Sequence, residues 1–221
     1  MLILSRRTIS VLAAFSGLLG VLGFAGQGRA AADNNNVVQA LRAGGIVIVV
    51  RHGATFADQA DTDPLNFDNI AAQRNLNDKG KALAKAFGDA LRQSGVPIGK
   101  VYTSKYNRAY ETAVIAGFKN IEKTADITEG GLVVSPNENN RRIEAFHKLL
   151  ATAPMPGTNT ILITHKPNIV DALGKDWFDV KEGEASLFGP QNGSYKLIAR
   201  VQMEEWPHSH RSREVKGKEG I

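Results

Sequence analysis

Residues 46–50, Ile-Val-Ile-Val-Val, form an uninterrupted aliphatic run opened by Gly45 and closed by Arg51-His52-Gly53. A β-branched run without polar alternation suits a strand covered on both faces, a situation found chiefly in parallel sheets flanked by helices. Residues 160–164, Thr-Ile-Leu-Ile-Thr, repeat the pattern and end on His165. Open sheets of this kind bind ligands in the crevice beyond the carboxyl ends of their strands, so both histidines are expected to face one crevice.

The stretches between these runs read as alternating helices and strands. Val37, Ala40 and Leu41 fall at helical spacing before a Gly44-Gly45 stop. Residues 54–76 are rich in Asp and Asn, contain Pro64, and predict a long irregular loop, a length usually tied to function. Asn77 is placed to cap a helix carrying Leu83, Phe87 and Leu91, closed by Gly95 and Pro97. A short strand follows at 101–103, then a helix capped by Ser104 that runs to about Gly117. A third strand is expected within 121–134, and a helix over 137–150 burying Ile143, Phe146 and Leu150. After the strand at 160–164 come a helix over 167–173 and strands near 185–188 and 195–203. Alternation of this kind predicts an α/β three-layer sandwich with a mostly parallel central sheet.

Residues 1–32 read as an export signal: Arg6 and Arg7, an uncharged run over 8–28, then Ala30-Ala31-Ala32 as small cleavage positions. Ser5-Arg6-Arg7-Thr8-Ile9 also fits a twin-arginine signal. The run is long enough to be read instead as a membrane anchor, but Ser and Gly dilute it. The expectation is therefore a periplasmic or secreted protein with no stable membrane span after processing.

Composition matters here through charge. The full chain has 27 Lys+Arg against 22 Asp+Glu. Removing residues 1–32 takes away Arg6, Arg7 and Arg29 and no acid, which leaves 24 basic and 22 acidic residues. Without a basic excess in the mature chain, nucleic acid is not an expected partner. The chain has no cysteine, which excludes thiol nucleophiles, disulfides and cysteine-held metals. His208 and His210 are two potential ligands in a charged tail, weak grounds for a metal site. The tail is expected to dock through Trp206 and to fray beyond it.

Three features carry chemistry. His52 follows a buried strand, between Arg51 and a Gly53 that allows close backbone approach. Arg108, within Thr103-Ser104-Lys105-Tyr106-Asn107-Arg108-Ala109, would lie about one turn into a helix that starts at a strand's carboxyl end, directed to the same crevice. The competing reading pairs Arg108 with Glu111 on the surface at i,i+3 spacing. His165 closes the second buried strand, and Asn168 stands just beyond it.

Together these pieces resemble the histidine phosphatase superfamily, the phosphoglycerate mutase-like proteins, and most closely its short exported bacterial members. The matching residues are Arg51-His52-Gly53, the Leu76-Asn77-Asp78-Lys79-Gly80 turn, the block from Thr103-Ser104 through Arg108-Ala109 to Glu111-Thr112-Ala113, and Ile163-Thr164-His165 with Pro167-Asn168-Ile169. They span about residues 45–175 in the family's order. The resemblance implies a histidine phosphatase domain over 33–205, between the signal and a tail at 206–221. It implies a phosphomonoester hydrolase in which neutral His52 attacks phosphorus to give a phosphohistidine. Arg51, Arg108 and His165 would surround the phosphoryl oxygens. Asn168 would add a polar contact and the following helix its amides. No metal or cofactor is implied, and the expected partner is a small-molecule phosphomonoester such as a sugar or envelope phosphate.

The general acid is where the chain departs from the family's pattern. Members commonly place an acid after the third strand, or an Asp directly after the second histidine, where this chain has Lys166. Glu138 is the first candidate and Glu184 the second. A phosphoglycerate mutase-type phosphotransferase and a catalytically silent phosphate- or phosphosugar-binding protein are the competing functions.

Overall fold

The computed structural model describes residues 34–130 and 134–206. The export signal read at 1–32, the tail beyond Trp206 and His208 and His210 lie outside the described residues.

The aliphatic runs become the centre of the sheet. Strand β1 (Val47–Arg51) pairs in parallel with β4 (Asn159–Thr164), in a register that sets Val50 beside Ile163 and Arg51 beside Thr164. Strand β2 (Ile98–Ser104) lies parallel to β4 on its other side, and β3 (Ile121–Thr124) extends the sheet beyond β2. Strands β5 (Ala185–Gln191) and β6 (Ser194–Val201) form a hairpin added antiparallel to β1. The six-stranded order is β3-β2-β4-β1-β5-β6. The parallel part holds every strand that leads into a candidate site residue, and the hairpin covers the edge that β1 would otherwise leave open.

Alternate residues of β1 feed two cores. Ile48 and Val50 pack with Leu41, Phe87, Leu91 and Ala113 on one face. Those residues come from α1 (Asn34–Ala43), α2 (Asp78–Gln93) and α3 (Asn107–Ile115). On the other face Val47 and Val49 pack with Phe146, Leu150 and Ile169, from α4 (Pro136–Ala151) and α5 (Lys166–Leu173). The three layers expected from the sequence are therefore present. Trp206 docks as expected: it is buried, with its ring 5.2 Å from that of Phe87.

Asn77 caps α2, its Oδ1 accepting from the Gly80 N–H at 2.9 Å. A Cβ on Gly80 would lie 2.1 Å from the Ala54 carbonyl oxygen, and one on Gly53 2.9 Å from the Gly80 carbonyl oxygen. The start of α2 thus rests directly on the backbone that leaves His52, and only glycine permits that distance.

One expectation needs correction. Ser104 does not cap α3; it ends β2, and the N-cap is Tyr106, which makes no side-chain cap bond. The Ser104 Oγ instead accepts from the Tyr106 N–H at 3.1 Å. This local turn uses the hydroxyl before the helix begins, so Arg108 sits at the second helical position and not a full turn in.

Candidate active site

His52 and His165, brought together by the parallel pairing of β1 with β4, have ring centroids 5.1 Å apart, and both are buried. The His52 Nδ1 lies 2.8 Å from the Gly53 carbonyl oxygen. A carbonyl only accepts, so Nδ1 carries the hydrogen and Nε2 of the neutral ring keeps its lone pair. Burial, then the positive charge of Arg108, with lesser contributions from Arg51 and Arg74, holds the His52 pKa well below the usual histidine range. The ring is neutral at neutral pH, and the backbone carbonyl at Nδ1 leaves Nε2 as the nitrogen with a free lone pair.

His165 is held by side chains. Its Nε2 lies 2.7 Å from Ser104 Oγ, which already accepts from Tyr106 and so has its own hydrogen to donate. That arrangement puts the His165 Nδ1–H toward Glu129, whose Oε1 is 3.4 Å away. Burial, then Arg108 and His52, lowers this pKa as well.

Arg108 is fully buried, which excludes the surface pair with Glu111; Glu111 instead lies 3.5 Å from Lys81. The Arg108 fork donates to both carboxylate oxygens of Asp61, at 2.9 and 3.1 Å, and to Glu129. Its guanidinium carbon sits 4.3 Å from the centroid of the Tyr106 ring, so stacking fixes the plane while the carboxylates fix the rotation. Arg51 donates from one terminal nitrogen to the Val180 carbonyl at 2.8 Å and places the other 3.5 Å from Glu182. The charge of Arg74 acts on both histidines and on Arg51.

Both arginines nevertheless keep a buried donor without a partner. Among the described residues, six buried side-chain nitrogen or oxygen atoms lack one, and four belong to this cluster: Arg51 Nε, Arg108 Nε, His165 Nδ1 and Asn168 Oδ1. Leaving a buried polar group unpaired costs about 1–3 kcal/mol. Two guanidinium N–H donors so retained around a neutral histidine form a cradle for an anion with several oxygens.

The two acids anticipated from the sequence are engaged elsewhere. Glu138 does lie in the first turn of α4, but both its oxygens accept from Arg141 and Arg142 at the surface. Those bonds lower its pKa to about 2, so it keeps no proton to give at neutral pH. Glu184 is fully buried, and its carboxylate accepts from Arg200 and Gln202 on the β6 side. The acid that lies against both Arg108 and His165 is Glu129.

The sequence profile of the histidine phosphatase superfamily (branch 1) matches residues 47–133. The matched segment contains Arg51, His52, Arg108 and Glu129. No curated protein matches the chain in sequence. The fold is shared with solved structures at low sequence identity. The protein histidine phosphatase SixA complexed with tungstate aligns with a TM-score of 0.51 and 16% identity, over 72% of this chain and 97% of that one. The YhfR protein of Bacillus stearothermophilus gives 0.53 and 16%, over 70% and 95%. A mycobacterial glucosyl-3-phosphoglycerate phosphatase complexed with VO3 gives 0.51 and 15%, over 71% and 98%.

Sequence reading missed Glu129, Asp61 and Arg74. A signal for the first was present: histidine phosphatases place an acid after the third strand, and β3 ends at Thr124, five residues before Glu129. Among the described residues, no group of three or more His, Asp and Glu side chains is placed to hold a metal ion, and no helix is long and apolar enough to cross a membrane.

The lowered histidine pKa values carry a sign for stability. His52 and His165 bind protons more weakly folded than unfolded, so the unfolded chain takes up protons first as pH falls through the ordinary histidine value near ~6.5. Stability is expected to fall below that pH by up to about 1.4 kcal/mol per unit for each histidine. Urea unfolding at pH 7.5, 6.5 and 5.5 checks this, and His52→Gln should flatten the slope. Equal slopes in the two proteins would place the proton uptake elsewhere.

Proposed function

We propose that the chain is a phosphomonoester hydrolase acting through a phosphohistidine on His52, and that it is a short exported member of its superfamily. The observation that supports this most directly is the buried, neutral His52, whose Nδ1 is tied to the Gly53 carbonyl, facing two arginines with unpaired Nε donors. In the proposed first step, His52 Nε2 forms a bond to phosphorus as the bond to the leaving oxygen breaks. Glu129, which replaces Glu138 and Glu184 in our assignment, gives its proton to that oxygen. In the second step water attacks phosphorus, Glu129 takes the water's proton, and the nitrogen–phosphorus bond breaks to release phosphate and restore neutral His52. Arg51, Arg108 and His165 Nδ1 hold the phosphoryl oxygens throughout. Residues 1–32, read as an export signal, would bring this site to extracytoplasmic phosphomonoesters.

Hydrolysis of a chromogenic aryl phosphate by the full chain, with inhibition by vanadate, tests the reading. Vanadate binding without turnover would favour the silent binding protein.

Arg108 supplies a further test. Loss of one fixed cationic donor from such a site is expected to lower kcat by roughly 10²–10³ and to weaken inhibition by vanadate. Because Arg108 is buried against two carboxylates, Arg108→Lys is measured beside Arg108→Ala, with unfolding followed for both. Lysine keeps the charge and loses the planar fork, so partial recovery is expected. A folded Arg108→Lys protein with unchanged vanadate inhibition and turnover would remove Arg108 from the phosphoryl site.

A further inference from the structure

A cleft of about 390 Å³ opens between the start of α4 and α5, with Glu129, Asn139, Asn168 and Asp171 as its polar lining and Pro136 and Pro167 among its apolar walls. Glu129 belongs both to this cleft and to the histidine cluster, so a leaving oxygen that receives its proton has the rest of its alcohol beside these residues.

Two carboxylates and two amides supply the polar lining of the cleft. Asn139 uses its amide N–H on Asp171 at 3.3 Å, and Asn168 uses its own on the Thr128 carbonyl at 3.3 Å. Each of these bonds uses one of the amide's two N–H donors. The available oxygens include those of Glu129 and Asp171 and the buried, unpartnered Oδ1 of Asn168, a residue only 8% exposed. No lysine or arginine lines the cleft among the described residues. Arg142 lines an adjoining cavity with Asn139, Asn168 and Asp171, its guanidinium engaged through Nε on Glu138 and Nη1 on the Thr128 carbonyl. An alcohol with hydroxyl or ammonium donors satisfies this lining, whereas one bearing a carboxylate meets Asp171 and oxygen lone pairs.

We infer that the cleft receives the leaving group and selects phosphate esters of donor-bearing alcohols, polyols and amino alcohols, over esters whose alcohol carries a carboxylate. This rests on the phosphatase reading and adds the substrate class to it. Asp171 is the specificity residue, and Asn168 supplies a buried acceptor.

The probes are glycerol 3-phosphate, ethanolamine phosphate and 3-phosphoglycerate, with a chromogenic aryl phosphate as reference on the unaltered chain. The first two should exceed 3-phosphoglycerate in kcat/KM by at least about 10-fold, since like charges brought together in a cleft are strongly disfavoured. Asp171→Asn should shrink that ratio, and Asp171→Lys should reverse it. Calorimetric binding of the same three esters to His52→Ala gives the preference without turnover. A preference for 3-phosphoglycerate in the unaltered chain, or a ratio that Asp171→Lys leaves unmoved, overturns the inference. Failure to hydrolyse even the aryl phosphate would sink the phosphatase reading, and the binding series would still decide what the cleft selects.

Discussion

His52→Ala is expected to lower phosphomonoester turnover by roughly 10⁴–10⁶-fold, the scale on which enzymes lose rate when the nucleophile of a covalent mechanism is removed. The reason is geometric. His52 is the ring whose protonated nitrogen is committed to a backbone carbonyl, which leaves one lone pair and no proton to lose before attack. His165 has both ring nitrogens facing side chains, Ser104 and Glu129, and is in no position to substitute for it. Rapid quenching of the unaltered chain during turnover should trap phosphate that is stable to alkali and labile to acid, and the variant should trap none. If His52→Ala retains more than a few per cent of turnover, the nucleophile is another group.

Glu129→Gln should separate two kinds of substrate. An alkyl alkoxide leaves poorly without a proton, whereas an activated aryl oxide departs as a stable anion. Loss of the acid is therefore expected to slow alkyl phosphates by roughly 10²–10⁴ and to affect aryl phosphates far less. Glu138→Gln should show no such split, because both its oxygens are engaged by Arg141 and Arg142 at the surface. Glu184→Gln should act on folding, because it removes the buried one of the two acids, Glu184 and Asp179, that pair with Arg200. A selective loss of alkyl turnover in Glu138→Gln or Glu184→Gln, with none in Glu129→Gln, would return the role to the acids first read from the sequence.

The contrast between those acids shows what the sequence could carry. Strands β1 and β4 were legible because burial on both faces demands an unbroken aliphatic run, and the histidines were legible because each terminates one. Strand β3 was not: it is an edge strand of four residues, Ile-Glu-Lys-Thr, whose two charged residues face solvent, and no hydrophobic pattern marks its end. With that end blurred across 121–134, the acid following it was sought too late in the chain. Asp61 was illegible for a different reason. Its place opposite Arg108 depends on how the irregular loop folds back on itself, with the Asp61 carboxylate accepting from the Arg74 N–H at 2.9 Å and Gln73 Oε1 accepting from the Asn107 N–H at 2.8 Å. Such bonds join residues 13 and 34 apart and follow no period. Ser104 was assigned to the wrong task because a hydroxyl before a helix reads as a cap whether or not a histidine competes for it.

The pairing of each arginine with an acid has a kinetic consequence. Arg51 lies against Glu182 and Arg108 against Asp61 and Glu129, so with Arg74 included three positive charges stand among three negative ones. Seen from beyond a Debye length of about 8 Å at physiological salt, such a cluster has little net field. Approach is then governed by ordinary diffusion and not by long-range steering, and added salt should slow the encounter little. On the proposed function, recognition would fall to the last few ångströms, where a phosphoryl group would meet the unpaired N–H donors. A site so built would gain its affinity from close fit and not from charge at a distance.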